Sequence, residues 1–154
     1  MLRLTWALSG DGWADCTVAD QDAEARLETS HIASVPEDLL TAVARLLISE
    51  TETRADFETE PAAFRWIFKR EGDDVSIRLL QLPDRRSHDR EGTELWTSRQ
   101  PADTLARAVI RCFDNVVDTY GESGYHRAWR RSFPHFELEA LRAARRNLRK
   151  TTTE

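Results

Sequence analysis

Carboxylates are the residues of this chain whose spacing most suggests chemistry. Asp56, Glu58 and Glu60 alternate along RADFETE. Alternation puts them on one face of an extended strand, where three acids can hold a cation or a basic partner. The plainer reading is a solvent-facing row of acids. Without a second group converging on them they specify no acid–base catalysis. The four histidines, His31, His88, His126 and His135, have no Cys, His or carboxylate at zinc-motif spacing. Gly121-Glu122-Ser123-Gly124 falls one residue short of a nucleophile elbow and follows a helical pattern, not a strand. Ser9-Gly10-Asp11-Gly12 has the glycines of a phosphate loop but joins two strand patterns, and its acid repels phosphate. No metal, cofactor or catalytic residue is therefore expected.

Charge is distributed unevenly. The net charge is −5, but residues 1–60 hold thirteen acidic and four basic residues, and residues 61–154 hold fourteen and eighteen. An acidic half can mark a basic partner, or simply two solvated faces of different sign. If it marks a partner, the binding face is Asp11, Trp13 and Asp15 together with Asp56, Glu58 and Glu60. Trp13, beside a turn, is the tryptophan expected to be exposed. The basic segment RAARRNLRK near the C-terminus complements a helix dipole. The acidic total and the lack of an RNP-type aromatic pattern weigh against nucleic acid.

These residues need elements to position them. Residues 54–82 supply the centre. Phe64, Trp66 and Phe68 alternate with Arg65, Ile67 and Lys69, a Glu71-Gly72-Asp73-Asp74 turn follows, and Val75, Ile77 and Leu79 return. This is a β-hairpin, preceded by a strand over 54–60 and a break at Pro61. Leu2, Leu4 and Trp6, a turn over 9–12, and Cys16 and Val18 predict a first hairpin, with a third strand over 25–32. Ser34-Val35-Pro36-Glu37 has the form of a capping box, and Leu39, Leu40, Val43, Leu46 and Leu47 form one helical stripe behind it. Residues 83–92 hold no apolar residue except Pro83 and predict a solvated, mobile loop. Glu94 to Thr97 is a short strand. Pro101 opens a helix that Gly121 ends. Residues 125–129 form a short helix, and 136–150 a last one.

The chain of 154 residues fits one domain, 1–150, with a frayed tail at 151–154. No apolar run approaches the roughly 20 residues of a membrane span. Cys16 and Cys112 lie far apart among apolar neighbours and read as buried free thiols of a cytoplasmic protein. Strands followed by helices predict an α+β fold: a mainly antiparallel sheet of about six or seven strands with helices packed on one face.

Two clusters carry a resemblance: Glu60-Pro61 with Phe64-Arg65-Trp66, and Gly124-Tyr125 with Trp129 and Phe133-Pro134. With the Ser30-His31-Ile32 strand and the leucine-rich helix after it, they resemble small bacterial α+β proteins that look like immunity proteins of polymorphic toxin systems. The resemblance brings no catalytic residues. It implies a non-enzymatic inhibitor whose acidic half meets a basic toxin domain. Two other readings stay open: a ligand-binding or enzymatic domain with a pocket lined by Phe64, Trp66 and Tyr125, and a homodimer paired through a sheet edge. The resemblance also suggests that Glu60 pairs with an arginine of the adjacent strand.

Overall fold

Asp11 and Gly12 both have positive φ, 56° and 80°, the requirement of the two-residue turn whose twist suits a hairpin. The turn joins β1 (Arg3–Gly10) to β2 (Trp13–Ala19), and β3 (Glu24–Ser30) pairs with β2, giving an antiparallel sheet of order β1-β2-β3. Gly12 is also sterically required, since a Cβ there would sit 2.1 Å from the His31 ring. The computed structural model describes residues 1–153; Glu154 and the side chains of residues 151–153 lie outside that description, and with them the expected frayed tail.

The predicted central hairpin is β5 (Ala63–Glu71) and β6 (Asp74–Leu82). With β4 (Glu52–Glu58) and β7 (Thr93–Pro101) they form a second antiparallel sheet of order β4-β5-β6-β7. Its register aligns Ala55 with Trp66, Leu79 and Trp96 on one inner face. The seven strands thus divide three and four, where one sheet was expected. The third strand, β3, contacts both β4 and β7, the two edges of the other sheet. Thr29 Oγ1 donates to the Glu58 carbonyl at 3.1 Å, and Trp96 Nε1 to the Ala23 carbonyl at 3.0 Å. Side chains, not a backbone ladder, therefore join the sheets at these points. Their apolar faces share one core, in which Trp6 of β1 meets Phe57 of β4 edge-on at 6.0 Å.

The helices divide between the two sheets and one another. α1 (Val35–Ile48) lies between β4 and α3 (His135–Thr153). Contact on two sides explains why Ala42 and Ala44 are buried along with the predicted leucine stripe. The capping box does not form: Ser34 makes no side-chain cap bond, and its hydroxyl accepts from Arg131 Nη1 at 3.3 Å. α2 (Ala102–Trp129) packs on β1 and breaks at Gly121, whose φ of 68° is non-helical. The predicted division into two helical pieces at that residue is therefore present. Beyond it, Tyr125 and Trp129 are fully buried.

Residues 83–92 depart from the expectation of a mobile loop. Arg65 projects from the outer face of β5 beneath them, its side chain 10% exposed. It donates to the carbonyls of Ser87 and Arg85 at 2.8 and 2.9 Å and to Asp89 at 3.0 Å, and it grips Asp56 with two nitrogens at 2.8 and 3.2 Å. Gly92 closes onto Leu82, where a Cβ would lie 2.8 Å from Cδ2. The loop lacks apolar anchors of its own and is held by a cation from the strand it covers.

Two outcomes follow from this packing. Trp66 is 3% exposed, stacked on Phe68, and shares a gap of only ≈10 Å³ with Leu105, Ala108 and Val109 of α2. Trp66→Ala is expected to lower stability by about 3–5 kcal/mol in chemical denaturation; parent-like stability would remove Trp66 from the core. Arg65→Met leaves Asp56 and Asp89 without their shared cation and should cost roughly 3 kcal/mol. Limited trypsin digestion should then cut the variant at Arg85, Arg86 or Arg90 well before the parent. Burial raises the Asp89 carboxyl, but bonds from Arg54 and Arg65 outweigh it and hold it below the ordinary range. Its folded pKa is lowered, so its contribution is complete above about pH 4 and is lost as pH falls through the folded value. The loop of the parent should stay as resistant at pH 5 as at pH 7.

Candidate functional site

The hairpin tip is held in place by its surroundings. Gly12 N–H donates to the Ala128 carbonyl of α2 at 2.9 Å, and His31 N–H donates to the Gly12 carbonyl at 2.8 Å. Bonds on both sides of Gly12 fix the flanking residues, and these are two of the predicted site residues. The Asp11 side chain is 92% exposed and pairs with Arg130 at 3.3 Å. Trp13 is 37% exposed on the outer face of β2, opposite Ser30. Asp15 follows on the same face, opposite Glu28, and pairs with Arg26 at 3.1 Å. Arg3, Thr5 and Ala7 of β1 and Glu24, Arg26 and Glu28 of β3 complete an exposed sheet surface.

The second predicted set is less free. Asp56 is held by Arg65, and Glu58, whose side chain is 14% exposed, pairs with Arg85 at 2.8 Å. These two acids stabilise the loop as well as lining a surface. Glu60 is exposed, and no described ion pair involves it; the pairing expected with an arginine of the next strand is made by Asp56 instead. The strand positions explain this. Asp56 is the register partner of Arg65 on β5, whereas Glu60 lies past the end of β4, beside the cis Glu60–Pro61 bond.

Two grooves run along β4. One, of ≈810 Å³, lies against α1 and is lined by Asp38, Thr41 and Arg45 on the helix and by Glu52, Arg54 and Asp56 on the strand. The other, of ≈520 Å³, is lined by Ile32, Glu58, Glu60, Pro61 and Arg86. Arg85 borders both. Ile32 is 49% exposed and stands two residues beyond Ser30, the partner of Trp13. Thr29, next to Trp13's partner Ser30, bonds the Glu58 carbonyl, so the end of β3 adjoins both Trp13 and the end of β4. Burial and the nearby Asp56 both push the Asp38 carboxyl above its ordinary range.

The interior offers less. Trp66 contacts Phe57, Phe68 and Trp96, while Tyr125 packs on Phe133, so the pocket expected from Phe64, Trp66 and Tyr125 is not assembled at one point. Burial pushes the Cys16 thiol up to about 12, and raises Cys112 and Tyr125 as well. Such groups are poor nucleophiles at neutral pH. Among the described residues no three His, Cys, Asp or Glu side chains are placed to hold a metal ion. No described helix is long and apolar enough to cross a membrane.

Sequence reasoning proposed Trp13 and the acids and expected a carboxylate on the arginine that Arg65 supplies, but named Glu60 in place of Asp56; it did not single out Asp89, Ile32 or Asp38.

No family model and no curated protein matches the sequence. Among solved structures, the fold is similar to one chain of the CdiA-CT/CdiI toxin and immunity complex from Enterobacter cloacae. The similarity has a TM-score of 0.51 at 13% identity and covers 74% of this chain and 99% of that one. The likeness is one of fold, and it agrees with the resemblance to immunity proteins of toxin systems carried by the sequence clusters.

Proposed function

We propose that the chain is a non-enzymatic protein-binding module, an immunity-like inhibitor of a basic toxin domain. The observation that carries this is Trp13, a large aromatic side chain left partly exposed on a hairpin bonded to α2 and β3, with Asp11 and Asp15 beside it. Tryptophan is enriched among the residues that dominate binding energy, and a rigid tip loses little entropy on association. Acids around such an anchor steer a basic partner and reject acidic ones. Fold similarity to a chain of a toxin and immunity complex supports the same reading. So does the interior, where the gap beside Trp66 is too small for a metabolite.

The partner to test is the C-terminal domain encoded by the gene directly upstream. Trp13→Ala should weaken binding by about 2 kcal/mol or more, with little change in stability, because the side chain is not in the core. Asp11→Asn, Asp15→Asn and Glu60→Gln together should alter stability by less than about 0.5 kcal/mol. They should slow association at low salt and lose that effect at high salt, since charge is screened over roughly 10 Å at 0.1 M. Association rates identical to the parent at both salts would remove the electrostatic part of the proposal. Unchanged affinity for Trp13→Ala would remove the interface itself.

A further inference from the structure

β4 is the last strand of its sheet. Outside its ladder to β5, no described hydrogen bond engages the backbone of residues 52–57; the first group taken beyond them is the Glu58 carbonyl, by Thr29. An unpaired edge is a template for another strand, and proteins usually cover or shorten it. Here α1 stands beside the edge without closing it, and the groove of ≈810 Å³ lies between them. The edge runs seven residues from Glu52 to Glu58, long enough for an added strand of about the same number at roughly 3.3 Å per residue.

Charge selects the occupant. The strand acids are already answered: Glu52 by Arg54, Asp56 by Arg65, Glu58 by Arg85. Facing them across the groove, Asp38 has no described hydrogen bond or ion pair on its carboxylate; partial burial and, after it, the proximity of Asp56 make its charge costly, and Arg131 offsets only part of this. Exposed Glu60 extends the acidic row past the end of the strand. A cation on the incoming segment would relieve Asp38, whereas an anion would add to the repulsion.

We propose that the free edge of β4 accepts an extended, lysine- or arginine-bearing segment of the protein partner as an added strand, with Asp38 receiving a basic side chain from it. The inference rests on the protein-binding reading and supplies its mode: backbone bonds give affinity, and the groove gives specificity.

The probe is a blocked peptide of about nine alternating lysine and valine residues, studied with the intact protein by amide hydrogen exchange. Two controls are the peptide N-methylated at alternate positions, which cannot form the ladder, and its glutamate-for-lysine counterpart. The lysine peptide should slow exchange of alternate amides between Glu52 and Glu58 by about tenfold or more. The N-methylated peptide should leave them unchanged. The glutamate peptide, and the lysine peptide on Asp38→Lys, should bind about tenfold more weakly, with the thermal midpoint of the variant unchanged. Unprotected β4 amides at saturating lysine peptide would overturn the inference. So would equal binding of the N-methylated peptide, or sedimentation as a dimer with β4 already protected by a second copy. If those outcomes occur while Trp13→Ala still weakens the toxin domain, only the strand-addition mode fails. If the peptide protects β4 but the toxin domain ignores both Trp13→Ala and Asp38→Lys, the assignment of that partner fails.

Discussion

Trp6 is the point where the parts of this protein meet. Its indole lies 6.0 Å from the ring of Phe57 on the four-stranded sheet, 5.9 Å from Phe113 and 5.2 Å from Trp129 on α2. A three-stranded sheet with one apolar face has no independent core, and contact with the second sheet and the helix provides one. Other features depend on that docking. The Tyr120 hydroxyl accepts from the Leu8 N–H at 3.0 Å, and the Gly12 turn bonds to the end of α2. The hairpin tip that carries Trp13 is therefore fixed by the same packing that assembles the core. A partner would meet a surface already in its binding shape.

Charge follows a related logic. The acidic first part and basic second part of the sequence suggest two opposed faces, yet many of the cations are used inside the molecule. Arg65 answers Asp56, Arg85 answers Glu58, and Arg130 answers Asp11. Arg131 reaches the carbonyls of His31 and Ile32. Much of the asymmetry along the chain thus becomes local neutrality in the fold. The exposed acids that remain have more meaning for recognition than the total, because exposed pairs contribute little to stability.

How much of this was legible in the residues depended on range. Period-two alternation around Gly12 and Gly72 gave both hairpins, because turn geometry and strand pattern are written in neighbouring residues. The break at Gly121 was legible for the same reason, since only a residue tolerant of positive φ suits it. The division into two sheets was not. Alternation assigns Trp6 and Phe57 to inner faces but does not say whether those faces lie side by side in one sheet or oppose each other. The capping box failed for a comparable reason: Arg131, 97 residues from Ser34, takes the hydroxyl. Residues 83–92 looked mobile because their anchor is Arg65, a residue of another strand. At the site, Trp13 was readable from its place beside a turn, while the grooves along β4 required the helix to be placed.

The proposed recognition role draws on features separate from the core. Its large aromatic residues are spent on joining layers: Trp66 on Phe57, Phe68 and Trp96, Trp6 on Phe57, Phe113 and Trp129. Its buried thiols and Tyr125 are raised by burial away from any reactive state. Features aimed outward are of another kind: a fixed tryptophan, an exposed sheet face, and a strand edge with open backbone groups. In the proposed role each would bind by adding surface or hydrogen bonds to a partner, with no change in the core. That role would separate stability from recognition, because Trp13 is partly exposed and Trp66 is buried in the core. The exception is Asp56. It lies in the groove yet holds the cation that anchors the loop, so a change there alters the proposed binding surface and the fold together.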